Sequence, residues 1–207
     1  MKTILEEYKI VNKIFSVSFD NAVTNTASIS DLKTICQPNV GGKFFHVRCA
    51  CHVLNLCVQD GLKSLDTYIS PIRKAISYLW IHPQVRKERT KFCKINDKYP
   101  KKISSDVPTR WNSTYHMLHE SYEYQELLCS FFYSHNSNML IFPQSWDNCI
   151  KLLEILKNFD DATHVFSGVY YPTSHLLMNE CYNITFTLSE YTNDDILATC
   201  IYSMKRK

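Results

Sequence analysis

Glycine is nearly missing from this sequence, with 4 in 207 residues. That scarcity excludes a glycine-rich phosphate loop and a fold built on many tight hairpins. A strong charge imbalance is also lacking: 23 basic against 20 acidic residues leave a formal charge of +3. A uniformly basic nucleic-acid binder would carry more, so any contact with a polyanion must come from a local patch. No run approaches the ~20 apolar residues of a membrane span. The N-terminal M-K-T-I-L-E-E-Y-K-I is charged from its start and does not read as a secretory leader. With 9 cysteines and no such leader, the expectation is an intracellular chain with free thiols. What is abundant is apolar: 45% of the residues are hydrophobic, enough for a real core and against wholesale disorder.

The pattern along the chain changes character near residue 67. Ile4, Leu5, Tyr8 and Val11 have helical spacing, and Ile14 to Phe19, I-F-S-V-S-F, reads as a strand with Phe15, Val17 and Phe19 on one face. A helix over 28–36 must stop before Pro38; 40–43 is a turn; Phe44 to Arg48 is a second strand; and helical spacing resumes at Cys51. Helix–strand–helix–strand–helix predicts a parallel α/β piece over 1–67. Beyond it the strand signals fade. Pro71 opens one helix, and 84–104 is polar and lysine-rich, a helix end and a loop. Trp111 begins a stripe that extends to Phe132, Ser145 caps a helix with Trp146, Cys149, Ile150, Leu153, Leu156 and Phe159 inward, and Thr173 or Ser174 caps a last one with Leu177, Cys181, Ile184, Leu188 and Tyr191 inward. The fold class is therefore α/β giving way to mostly α, with pieces at 1–67 and 68–207.

Four features can carry chemistry, and each has a plainer alternative. Asp20 follows the first strand at once, in D-N-A-V-T-N. A strand-end carboxylate in an α/β sheet is a common place for a metal-binding or catalytic acid, and equally for a helix cap. One carboxylate alone holds Mg²⁺ only weakly. His46, Cys49, Cys51, His52 and Cys57 crowd one segment, F-F-H-V-R-C-A-C-H-V-L-N-L. Structural zinc needs four converging ligands, usually from two separated pairs, so no zinc is expected and buried thiols are the plain alternative. A cysteine–histidine nucleophile lacks an orienting third residue. Arg110 and Trp111 stand in D-V-P-T-R-W-N-S-T-Y-H-M-L, where Arg can pair a phosphate and Trp can stack on an unpaired base or simply begin a core stripe. Arg86, Lys87, Arg89 and Lys91 lead a run of eight basic residues between 86 and 102, set against Glu88 and Asp97. It is either a solvated helix face or a DNA-backbone surface.

Taken in order, D-N-A-V-T-N, the C-x-x-H of Cys49 and His52, the R-W-N-S segment and F-S-G-V-Y-Y-P-T-S-H-L (Phe166 to Leu176) resemble the hAT family of DNA transposases, and most of all its plant branch, the RICESLEEPER-like proteins with a zinc-finger BED domain. The resemblance runs along nearly the whole chain. It implies a partial RNase H-like core at 1–67 followed by part of an all-α insertion domain at 68–207. By this resemblance Asp20 matches the second acid of an Asp-Asp-Glu triad that works with Mg²⁺ or Mn²⁺. Cys49 and His52 sit beside the active site, Arg110 and Trp111 face it from the insertion, and the setting is the nucleus with DNA as ancestral partner. The first aspartate, the last glutamate, the BED finger and the dimerisation region of the family find no match. The expectation is thus an internal fragment, catalytically incomplete alone, with an open sheet edge prone to self-association. A non-catalytic interaction or regulatory module, or a non-functional gene remnant, are the competing readings.

Overall fold

The computed structural model describes residues 2–20, 22–135, 139 and 141–206, with the backbone alone at 23, 24 and 26. Asn21 of the D-N-A-V-T-N motif lies outside the described residues. The chain divides into two compact units, Met1–Leu54 and Asn55–Lys207, the division falling inside a helix.

The first unit is α1 (Lys2–Glu7), β1 (Val17–Phe19), α2 (Val23–Cys36), β2 (His46–Arg48) and the start of α3 (Ala50–Lys63). The strands pair in parallel with Val17 opposite His46 and Phe19 opposite Arg48, so α2 is the crossover of a βαβ unit. The strands are shorter than the sequence pattern implied. β1 begins at Val17, and alternation does not reach back to Phe15, which is 61% exposed; Ile14 packs inward in its place. Helix α2 buries Ile29, Leu32 and Cys36 at i, i+3 and i+7 against Phe45, with Val17 and Phe19 half-buried beside them. It ends where Gln37 turns left-handed at φ 42° and bonds the Lys33 carbonyl at 3.0 Å, just ahead of Pro38. The following turn needs positive φ at Gly41 (61°) and Gly42 (71°), which accounts for half of the chain's few glycines.

The second unit is helical: the rest of α3, then α4 (Asp66–Ile81), α5 (Pro83–Ile95), α6 (Trp111–Tyr122), α7 (Gln125–His135), α8 (Pro143–Phe166), α9 (Leu177–Glu190) and α10 (Ala198–Lys205). Helix α8 is the central element, packing on α4, α6 and α9. Its Trp146, Cys149, Leu153, Leu156 and Phe159 are buried at the helical spacing that the sequence shows, whereas Ile150, expected on the same face, is 40% exposed. Four further expectations change. Pro71 lies inside α4, which starts at Asp66. The lysine-rich stretch is mostly the regular helix α5, with Pro83 at its first turn, where a missing N–H costs nothing. The stripe from Trp111 is two helices, broken at Glu123 and Tyr124. Helix α9 buries only Ile184 and Leu188, leaving Leu177 and Cys181 at the surface. Gly61 has no room for a Cβ, which would lie 2.6 Å from Met204 and 3.0 Å from Cys200 on α10. None of the nine cysteines forms a disulfide. Among the described residues no helix is long and apolar enough to cross a membrane.

Candidate functional site

Parallel pairing sets the geometry of the first unit's site. The Cys49 amide donates to the Phe19 carbonyl at 2.8 Å, one step past the strands, so the C-terminal ends of β1 and β2 lie side by side. Asp20 follows one strand and Cys49 the other. Open α/β sheets gather their chemistry at this end. The Cys49 carbonyl accepts the Val53 amide at 3.1 Å, so Cys49 leads into α3 and His52 falls in that helix's first turn. The sequence-predicted Asp20, Cys49 and His52 are thereby gathered at one sheet end.

Asp20 is exposed, and its Oδ1 accepts the Ala22 amide at 3.0 Å and the Asn25 side-chain amide at 2.6 Å. These bonds, the backbone one foremost, hold its carboxyl below the ordinary carboxylate value of 3.8, with an electrostatic contribution from His52 in the same direction. Asp20 therefore ties the entry to α2, as the cap alternative requires, and also stays ionised at a strand end. At the start of β2 the His46 Nε2 is buried with no hydrogen-bond partner among the described residues. No three His, Cys, Asp or Glu side chains among the described residues converge to hold a metal ion. Mg²⁺ needs several oxygen ligands, and Asp20 supplies one carboxylate, so the residues here do not by themselves fit the ion.

The remaining candidates lie in the second unit. Arg110 is exposed, directly ahead of α6. Trp111 is 2% exposed and meets Phe159 edge to face, with centroids 6.3 Å apart. Its indole has no free face, so the core alternative describes it, and base stacking does not fit this packing. On α5, Arg86, Lys87 and Lys91 are exposed, whereas Arg89 is not the surface cation the charge run suggested. It is 4% exposed, on the inward face of the helix, with Nη2 donating to the Lys101 carbonyl at 2.6 Å and the guanidinium over Tyr124. Helical periodicity turns one residue in a charged run toward the core, and a residue count does not reveal which.

Sequence reasoning missed the residue that organises the D-V-P-T-R-W-N-S segment. Asp106, with its side chain 1% exposed, accepts Arg73 Nε at 2.5 Å, Thr114 Oγ1 at 2.8 Å and Ser113 Oγ at 3.1 Å. Arg73 also reaches Asp66 at 2.7 Å. The Gln59 side-chain amide donates to the Thr109 carbonyl at 2.8 Å, and Asn112 donates to Asp160 at 2.9 Å. The loop ahead of α6 is thus fixed to α3, α4 and α6, and α6 in turn to α8. An Asp seven and eight residues before Ser113 and Thr114 was a visible signal; Arg73, 33 residues upstream, was not.

Residues 47–158 match the family model described as the ZBED1 RNase-like helical domain. The chain is 35% identical over 182 residues to the Zea mays protein named Putative AC transposase, covering 84% of this chain and 23% of that protein. A second Zea mays protein, named Putative AC9 transposase, is 32% identical over 206 residues, covering 84% of this chain and 25% of its own length. The Zinc finger BED domain-containing protein RICESLEEPER 2 of Oryza sativa subsp. japonica is 27% identical over 203 residues, with 94% and 28% covered. The chain therefore spans about a quarter of the length of these relatives.

Proposed function

This chain belongs to the hAT transposase-related family of the AC and RICESLEEPER proteins, and from that premise we propose that it is a transposase-derived segment whose partner is DNA in the nucleus. In this reading 1–67 contributes to an RNase H-like core and 68–207 to the helical insertion. Asp20 is the second acid of the triad, Cys49 and His52 handle a DNA end beside it, and Arg110 with the exposed cations of α5 grips the backbone. Trp111 serves by holding Arg110 at the head of α6. The observation that carries the reading is the parallel pairing of β1 and β2, which aligns an ionised strand-end carboxylate with the C-x-x-H segment.

With Asp20 as the one acid matched, the chain alone binds DNA without cutting it, since Mg²⁺ or Mn²⁺ chemistry on DNA takes convergent carboxylates. Self-association through the open edges of the two-stranded sheet is the further expectation. The test is a labelled duplex with transposon-like ends, followed by anisotropy across a salt series and by a nicking assay in Mg²⁺ and Mn²⁺. With roughly five phosphates neutralised, log K falls against log salt with a slope of about −4 to −5. Metal-dependent nicking that Asp20→Asn abolishes would overturn the catalytic part. Absence of binding at low salt would overturn DNA as the partner. A non-catalytic interaction module is the second reading, favoured by the exposed side chains of Tyr170, Met178, Tyr182 and Phe186.

A further inference from the structure

Trp80 differs from the other two tryptophans. Trp111 and Trp146 are core residues, 2% and 3% exposed, while Trp80 is half-buried at the C-terminal end of α4. It borders a cavity of about 400 Å³ that Arg86, Lys87, Pro100, Lys102 and Ile103 also line. The indole Nε1 donates to the Ile103 carbonyl at 3.0 Å, which fixes the ring to the extended segment after α5. Two cations then settle against the ring: the Lys102 ammonium 4.4 Å from its centroid and the Arg86 guanidinium 5.9 Å from it. Both distances lie within the range of cation–π attraction. Like charges repel, and the ring's electron-rich faces offset that repulsion.

What these cations lack is an acid. Lys101 pairs with Glu123, Lys151 with Asp194 and Lys157 with Asp161. No such carboxylate pairs with Arg86, Lys87 or Lys102 among the described residues. Arg89 lines the same cavity, 4% exposed, with Nη1 buried and unpartnered. Several positive charges therefore converge on one concave site with no carboxylate among its lining residues, and such a site concentrates anions. Arg86 supplies a planar fork suited to two oxygens of one phosphate, and the lysines supply point charges for its neighbours.

We propose that the cavity around Trp80 is a phosphodiester-binding subsite, in which Arg86, Lys87 and Lys102 take backbone phosphates and Trp80 is the positioning residue that holds two of them together. The subsite rests on the reading of DNA as partner and deepens it: to the α5 cations that grip the backbone it adds Lys102 and the indole that gathers them, a grip made without regard to base sequence.

The test uses the full chain, a fluorescein-labelled oligonucleotide duplex and poly-glutamate as the competing polyanion. Arg86→Gln/Lys102→Gln weakens duplex binding about tenfold at low salt and makes the salt slope shallower by about 2, since two phosphate contacts are lost. Lys9→Gln/Lys13→Gln, with the same change in net charge, leaves the slope unchanged. Tryptophan fluorescence gives a readout that does not depend on affinity. Iodide, an anion, quenches the Trp80 component more than caesium does; saturating duplex protects it; and Trp80→Phe removes the quenchable component while the buried tryptophans remain. If the unaltered chain and Arg86→Gln/Lys102→Gln bind duplex alike, the subsite is overturned and DNA as partner stands. If the unaltered chain does not bind duplex, both fall. Protection of Trp80 by poly-glutamate but not by duplex would assign the cavity to an acidic protein and overturn the proposal.

Discussion

The two units hide apolar surface to very different degrees. Among the described residues, five buried apolar side chains precede residue 55 and thirty-three follow it. The small unit has a two-stranded sheet with one covered face, and it leaves Ile4, Phe15, Phe44 and Val47 exposed. An isolated pair of strands is marginal in water. The helical unit closes a core of aromatics and leucines around α8. Asp20, Cys49 and His52, the residues with the closest likeness to catalytic machinery, are thus held by the thinner core. The charged surface is carried by the well-packed unit. Precision at the sheet end comes from backbone pairing and the bonds of Asp20 rather than from mass of packing.

The strongest way to break this comparison is Trp111→Ala. Removing a 2% exposed indole leaves a cavity against Phe159 and costs about 3–5 kcal/mol. Urea unfolding followed by helical circular dichroism measures it. Phe45→Ala, the matching change in the small unit, leaves most of that helical transition in place. If both variants shift the whole transition equally, the units fold as one and the contrast is lost. Next is Asp106→Asn, which strips the charge facing Arg73. Breaking a buried ion pair by altering one partner costs on the order of 3 kcal/mol. The same denaturation curve reads the loss, and an unchanged midpoint would mean the loop is held by its other bonds alone.

How much of this was visible in the residues differs by unit. The seam of α8 was plain because one period ran from Trp146 to Phe159, although Ile150, at the edge of that face, was counted inward and is exposed. The order of the βαβ piece was also plain. Its strand limits were not, because alternation at 14–16 continues a pattern that no partner strand extends. Asp20, Cys49 and His52 were named from motifs, and parallel pairing is what gathers them. Arg89 was misjudged because charge counts ignore which side of a helix a residue occupies. The Asp106–Arg73 pair and the Trp80 cavity were invisible because each joins segments whose closeness only the tertiary fold creates.

Thiol chemistry sharpens the comparison further. Burial pushes the Cys149 and Cys200 thiols up to about 12, so they resist alkylation until the helical unit opens. Cys36 is buried as well, but by the thinner core. In a timed iodoacetamide reaction read by mass spectrometry, exposed Cys181 labels first, Cys36 next through local opening, and Cys149 and Cys200 last. Simultaneous labelling of Cys36 and Cys149 would contradict the ordering. The smallest effect belongs to Asp20. Its carboxyl lies below the ordinary 3.8, so its bonds contribute stability above that value and lose it as pH falls through the lower folded value. The amide signal of Ala22 in a pH titration reports it directly, and a midpoint above 3.8 would refute the assignment.

The loop fixed by Asp106 has a consequence for how such a sequence drifts under selection. Asp106, Trp111, Asn112, Ser113 and Thr114 are all committed to holding α6 and its approach in place. Arg110 is the one charged side chain of the segment left at the surface. If DNA is the partner proposed above, a lineage released from it would keep the first set, because each holds α6 or its approach in place, and would be free to change Arg110. In that reading the arginine is a historical marker: its replacement beside an intact Asp106 would date the loss of the DNA contact, with the fold outliving it.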